Sequence, residues 1–404
     1  MKFNLKKLGP GLLFAGAAIG VSHLVQSTRA GADFGFGLVW ALLLAHLFKY
    51  PFFQFGPRYA LATGETLLDG YKKLGKAVLV TYFIITFATM FTIQTAVTIV
   101  TAGLASSLFG NFVSTQAWTV IILLVCFFIL IKGHYRFLDK LMKVIVIILA
   151  ISTIFAVILA STKSTTSFSL SQIFPKNSVE IAFLIAFMGW MPAPLDCSVW
   201  QSLWAIEKNK DNTDYNVKSS IFDFNVGYLA TIVLGIGFVA LGALIMSHSG
   251  ETFSPRGSVF ANQLISMYTK SLGNWASVVI GIAAFTTMFS TTITTLDASP
   301  RAMEKTSQLL FGNILKRGYL LWIIILTIGT IIIFFFLIHE MGHLVKIATI
   351  LSFLTAPFYA IINYKLISST HTPKEWRPSK IMHILCWLGI LFLIGFSVWY
   401  LTTL

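Results

Sequence analysis

Few side chains in this 404-residue chain can bind or transfer charge, and they sit in unusual places. His23 ends the run Gly16-Ala17-Ala18-Ile19-Gly20-Val21-Ser22-His23, which interrupts an apolar segment. Met191 and Asp196 bracket Pro192-Ala193-Pro194, which interrupts a second one. An imidazole, a thioether and one carboxylate form a candidate cation-binding set of mixed softness. Lys49, His46, Asp223 and Asp297 also fall within apolar segments, where ionisable groups are candidates for proton relay or gating. His339-Glu340-Met341-Gly342-His343 is a literal H-E-x-x-H. On a helix its two His share one face and can hold Zn²⁺, with Glu340 as base. That pattern raises an intramembrane zinc protease as a remote reading, but nothing after His343 supplies the further Asp ligand such proteases use.

The elements that must position these groups are membrane spans. Hydrophobic residues make up 56% of the chain and charged residues 11%, more apolar surface than a soluble domain could hide. Eleven spans are expected, at 10–30, 36–57, 77–108, 117–131, 141–160, 179–204, 219–247, 275–298, 319–338, 343–364 and 381–403. Most reach the roughly 20 residues a bilayer core requires. The loops leave no room for a soluble domain, so residues 1–404 read as one membrane domain, and no cleavable signal peptide is expected.

The net charge of +14 invites a nucleic-acid reading, and its placement argues against one. With the N-terminus in the cytoplasm, most of the 29 Lys and Arg fall in inner segments. The outer segments hold only Arg29, Lys163, Lys176, Arg256 and Lys270. This asymmetry sets topology and contacts anionic membrane lipid. It predicts a plasma (inner) membrane protein with its C-terminus outside. Cys126, Cys197 and Cys386 suggest no disulfide framework, and no cofactor is implied.

Spans one to five (about 10–160) and six to ten (about 179–364) can be overlaid, each set led by a broken helix. An odd number of spans per half forces opposite orientations. The expected fold is therefore all-α, an inverted five-plus-five repeat with helices 1 and 6 broken, similar to the amino acid–polyamine–cation transporters. The eleventh span, 381–403, lies outside the repeat. Segment 248–274 is expected to form an outer loop with a surface helix from Ser258 to Leu272. Paired interruptions of this kind point to a substrate site, because unwound backbone in hydrocarbon must line a cavity or bind something.

Residues 9–64 resemble the first two spans of the Nramp divalent-metal transporters. The shared pattern is Gly9-Pro10, Ala30-Gly31-Ala32-Asp33-Phe34-Gly35, Trp40, Ala45, Arg58 and Ala62-Thr63-Gly64. Further matches are Met191-Pro192, Asp223, Ser290-Thr291-Thr292-Ile293-Thr294 with Met303-Glu304, and Pro357-Phe358. The resemblance implies a secondary transporter working by alternating access. The departures fall on the metal site. The family carries Asp-Pro-Gly-Asn at the first break, where this chain reads Gly20-Val21-Ser22-His23. The family's two His after Met-Pro are Ala193 and Ser198 here.

Hard cations such as Mn²⁺ prefer anionic oxygen ligands, so the usual manganese site is expected to be lost and selectivity altered. Asp196 is the carboxylate next to a break, and reads either as a ligand or as the cap of the second half-helix. The small-residue first break also suits an organic solute, since half-helix N–H groups can hold a carboxylate and small side chains admit it to the backbone. The alternative function is thus proton- or sodium-coupled transport of an amino acid or similar solute. The expected substrate site is Gly20, Ser22, His23, Met191, Ala193, Asp196 and Thr355, the last being near a family Gln in span ten. A metal, if bound, would engage Met191, Asp196 and His23. Lys49 is expected to pair with Asp297 or to snorkel outward. His46 and Asp223 each admit a structural reading, as a core polar group and a cap. Trp190 and Trp200 flank the second break, with packing as the expected role of Trp190.

Peptide cleavage is expected to be absent. Zinc-dependent cleavage by the purified protein that disappears in Glu340→Gln would overturn the carrier reading.

Overall fold

The computed structural model describes residues 8–404 except 111, 133–134, 164–168, 213, 247–252, 255, 275, 313–316 and 338–339. The described regular structure is helical. The first span is α1 (Pro10–Ala18), a π-helical stretch Ser22–Ser27 and α2 (Thr28–Phe34), bent by 46° at the break. Then come α3 (Val39–Thr63), α4 (Leu67–Leu74), α5 (Lys76–Phe109), α6 (Thr115–Lys132) and α7 (Tyr135–Lys163). The second half opens with α8 (Ser178–Trp190) and α9 (Cys197–Asp211), the two parts of the sixth span. It continues with α10 (Val217–Ile245), α11 (Gly257–Leu272), α12 (Ala276–Phe311), α13 (Gly318–Ile332) with a π-helical end, and α14 (Met341–Ser368). The last helix is α15 (Lys380–Leu401).

Six of these helices are long and apolar enough to cross a membrane: α5, α6, α10, α13 with its π-helical end, α14 and α15. The bent first pair is a seventh. The remaining expected spans coincide with α3, α7, α8–α9 and α12. Two differences stand out. The short helix α4 was not expected. It is amphipathic, and a capping box joins Thr66 and Asp69 at its start. The eighth span does not end near Asp297 but runs on through Pro300 to Phe311.

The packing obeys the exchange of halves. Span two (α3) packs on α9, the second half of span six, while span seven (α10) packs on α2, the second half of span one. Likewise α7 packs on α1 as α14 packs on α8, and α5 lies against its counterpart α12. Glycine permits the closest approaches at equivalent places. A Cβ on Gly56 of α3 would sit 2.2 Å from the Ser198 carbonyl oxygen of α9. A Cβ on Gly242 of α10 would sit 2.2 Å from the Thr28 carbonyl oxygen of α2. Backbone touches backbone at both seams, as membrane helices do when small residues face each other.

Asp223 fixes where α1 begins. Its carboxylate accepts the N–H of Gly9 at 3.0 Å and of Gly11 at 2.9 Å, and the Tyr215 hydroxyl at 2.8 Å. The first N–H groups of a helix have no partner in their own helix, and a carboxylate there also meets the positive end of the dipole. Of its two readings the structure gives the cap, but for α1 rather than for its own helix.

Asp223→Ala is expected to lower stability by about 2–3 kcal/mol, since hydrogen bonds to a charged group are lost from buried donors. Chemical or thermal unfolding in detergent measures it; an unchanged melting temperature would refute the cap.

Candidate functional site

The two breaks face each other across a narrow cavity. It is lined from the first break by Ala17, Ala18, Val21 and Ser22, and from the second by Trp190, Pro192, Ala193 and Pro194. Helix α9 adds Cys197 and Trp200, α5 adds Ile93 and Val97, and α12 adds Thr291 and Thr295. Water-sized centres can occupy only about 20 Å³ of it, enough for a water or a bare ion and too little for an amino acid.

Each break leaves backbone groups that hydrocarbon cannot solvate. At the first, the Gly16 carbonyl accepts the Thr291 hydroxyl at 3.1 Å. The Ala18 carbonyl accepts the Ser22 hydroxyl, with His23 Nδ1 at 3.1 Å. Gly20 lies against Thr291, whose Oγ1 would be 2.6 Å from any added Cβ. The chain then resumes as a π-helix, and the Ser27 hydroxyl donates to the Ser22 carbonyl at 3.2 Å.

At the second break the C-terminal carbonyls of α8 are held from outside the helix. Lys49, fully buried on α3, donates from Nζ to Met188 O at 2.7 Å and to Gly189 O at 2.8 Å. Trp190 donates from its indole to the Ser352 hydroxyl of α14 at 2.7 Å.

Of the expected substrate residues, Ser22 and Ala193 line the cavity. His23 does not. Its Nε2 donates to Thr231 O at 2.9 Å on α10, and its Nδ1 lies 2.6 Å from the Ser22 hydroxyl. Met191 is wholly buried in the apolar core and is not among the lining residues. Thr355 is half-buried and spends its hydroxyl on Leu351 O and Ser352 O of its own helix. The hydroxyl of α14 that bonds Trp190 at the break is that of Ser352, one turn earlier. Among the described residues, no three His, Cys, Asp or Glu are grouped closely enough to hold a metal ion.

Asp196 starts α9 in a helical conformation (φ −62°, ψ −23°), and its side chain makes no cap bond. The first N–H groups of α9 turn instead to nearby carbonyls, Cys197 to Pro194 O and Ser198 to Leu195 O, both at 3.1 Å. Asp196 is 5% exposed, and its Oδ1 has no hydrogen-bond partner. On the same helix the indole N–H of Trp200 and both amide atoms of Gln201 are also buried without partners.

Lys49 neither pairs with Asp297 nor snorkels. Asp297 instead binds Arg301 Nε at 2.7 Å and the Tyr319 hydroxyl at 2.7 Å. His46 is a satisfied core group, with Nδ1 2.8 Å from Leu42 O and Nε2 3.3 Å from the Thr231 hydroxyl. Of the H-E-x-x-H pattern, His339 lies outside the described residues. Glu340 precedes α14, with an extended backbone, and pairs with His343 at 3.0 Å. Both face a wider cavity of about 320 Å³ with Arg29, Asp33, Glu180 and Lys346.

The cavity residues missed from the sequence are Thr291, Thr295, Ile93, Val97 and Cys197. The threonines had a signal in the hydroxyl-rich run that begins at Ser290 in an apolar helix. Gln94 was another, a carboxamide in mid-span that accepts the Thr295 hydroxyl at 2.7 Å and donates to Thr292 O at 3.2 Å.

This architecture has relatives. A manganese transporter of Eremococcus coleocola has the same fold, with a TM-score of 0.74 at 13% identity over 96% of this chain and 84% of that one. MhsT, solved in complex with L-phenylalanine, is similar with a TM-score of 0.66 at 14% identity over 98% and 99%. In sequence, an uncharacterized protein of Pasteurella multocida is 36% identical over 398 residues, 97% of this chain and 90% of that protein. The divalent metal cation transporter MntH of Staphylococcus saprophyticus is 23% identical over 322 residues, 77% and 72% of the two chains. The profile of the Nramp family, described as natural resistance-associated macrophage protein-like, matches residues 11–403. The chain therefore belongs to the Nramp family of membrane transporters.

Proposed function

We propose that this chain is a secondary transporter that moves a small cation across the plasma membrane by alternating access, with the family's manganese site lost and its selectivity altered. The observation that carries the reading is the Asp196 carboxylate, buried with an unpartnered oxygen next to the cavity between the breaks. A carboxylate without a partner is costly in a dry interior. Cargo charge, or a coupling H⁺ or Na⁺, would supply the partner.

Family descent supports a cation, and the size of the cavity agrees with one. The donors at hand do not suit Mn²⁺. His23 is turned toward α10 and Met191 is in the core, which leaves hydroxyls, carbonyls and one acid. With the N-terminus taken as cytoplasmic from the charge asymmetry of the loops, the wider cavity at Glu340 and His343 would face outward as an entry vestibule. A second reading, an amine-bearing organic solute, is favoured by the apolar lining of Ala17, Ala18, Val21, Ile93 and Val97 between two indoles. That cargo requires the cavity to widen.

Uptake into proteoliposomes separates the two, using a panel of mono- and divalent cations and of amino acids. Asp196→Asn is expected to cut cation uptake at least ~10-fold, equivalent to ~1.4 kcal/mol, with little change in melting temperature. Saturable Mn²⁺ uptake at micromolar concentration would refute the lost site, and amino-acid uptake without cation uptake would establish the second reading.

Alternating access also makes Cys197 a reporter, because its thiol lines the cavity and the other two cysteines do not. A small thiol reagent is expected to block uptake in the native protein and to leave Cys197→Ala active. Equal inhibition of both would place access elsewhere.

A further inference from the structure

Lys49 is 0% exposed, lies in the middle of a membrane helix, and makes no ion pair among the described residues. Buried lysines are usually matched to a carboxylate. Here two of the three ammonium protons go to backbone carbonyls, Met188 O and Gly189 O, and the ring of Phe353 lies 5.9 Å from Nζ. The ionisable neighbours are His46, one turn earlier on α3, and the Cys197 thiol on α9.

The partners are not ordinary carbonyls. They are among the last ones of a half-helix that stops inside the membrane, where no full turn follows, Met188 O taking only the Met191 N–H at 3.3 Å, and where the negative end of the dipole collects. Carbonyl ends of broken helices are where transporters of this architecture hold a free monovalent cation. An aromatic face adds further attraction for a cation. Two such carbonyls and an aromatic face are present here, and the occupant is a side chain.

We propose that Lys49 is a tethered cation: its ammonium occupies a monovalent-cation site made by the carbonyl end of α8 and the Phe353 ring, which a free ion would fill if the lysine were absent. The covalent tether replaces binding from solution, so this position needs no sodium or potassium. It also joins α8 to α3 at the break. The inference is independent of which cargo the cavity takes.

The test measures stability, so its failure leaves the transport reading untouched. Melting of purified Lys49→Ala is followed in choline chloride and after replacement by sodium, potassium, ammonium or methylammonium at equal ionic strength. In the wild type the replacement is expected to change the melting temperature by under ~1 °C, and in Lys49→Ala at least one cation is expected to raise it by ~3 °C or more. Lys49→Met, which keeps length without charge, is expected to melt well below the wild type and to gain nothing. Equal shifts in wild type and Lys49→Ala, or a Lys49→Met protein as stable as the wild type, would overturn the proposal. If Lys49→Ala does not accumulate, the same titration is made on Lys49→Ser, and no selective cation response there also overturns it.

Discussion

Unpaired backbone in hydrocarbon is the constraint on which the rest of this structure depends. Two spans stop partway, and each stop leaves carbonyls without the full next helical turn that would otherwise satisfy them. The protein meets the demand differently in its two halves. The first break is served mostly by its own residues, the Ser22 hydroxyl and the Gly20 N–H on Ala18 O, with Thr291 reaching Gly16 O from α12. The second is served from a distance, by Lys49 on α3. Residues that look like ligands in a sequence are thereby used up in holding the breaks open. What remains facing the cavity is small, aliphatic, hydroxylic or aromatic, with the Cys197 thiol.

The same accounting explains why Asp196 differs from the other acids within the spans. Asp223 spends its oxygens on two N–H groups and a phenol, and Asp297 on a guanidinium and a phenol. Asp196 sits at a helix start whose N–H groups have already turned to carbonyls of the preceding loop. It keeps a free oxygen beside the partnerless Trp200 and Gln201. Buried polar groups rarely go without partners in folded proteins, and these three residues lie within the first turns of one helix.

The fold was legible because it is written in apolar length and in the charge asymmetry of the loops. The breaks were legible because small residues and prolines interrupt those lengths. Helix α4 escaped notice because eight residues with four buried positions, Leu67, Leu68, Gly70 and Tyr71, carry no span-length signal. The run-on of α12 was hidden by Asp297 and Arg301, which look like a membrane boundary but neutralise each other one turn apart. The site was less legible. Lys49 bonds to carbonyls 139 and 140 residues away, and a carbonyl has no letter in a sequence. Thr355 was one turn wrong because α14 is apolar on most sides, so its pattern does not say which hydroxyl turns inward.

The glycine seams restrict how the molecule can move. Gly56 presses on Ser198 and Gly242 on Thr28, so span two is joined backbone to backbone to span six and span seven to span one, and Lys49 pins span two to span six from within. Sliding along such a seam would drive main chain into main chain. Each of these pairs is therefore expected to move as one piece, while the first break meets α12 through the Thr291 side chain. The threonines of α12 that line the cavity belong to neither pair, so the cavity is walled by two seamed pairs of spans and by a helix outside them.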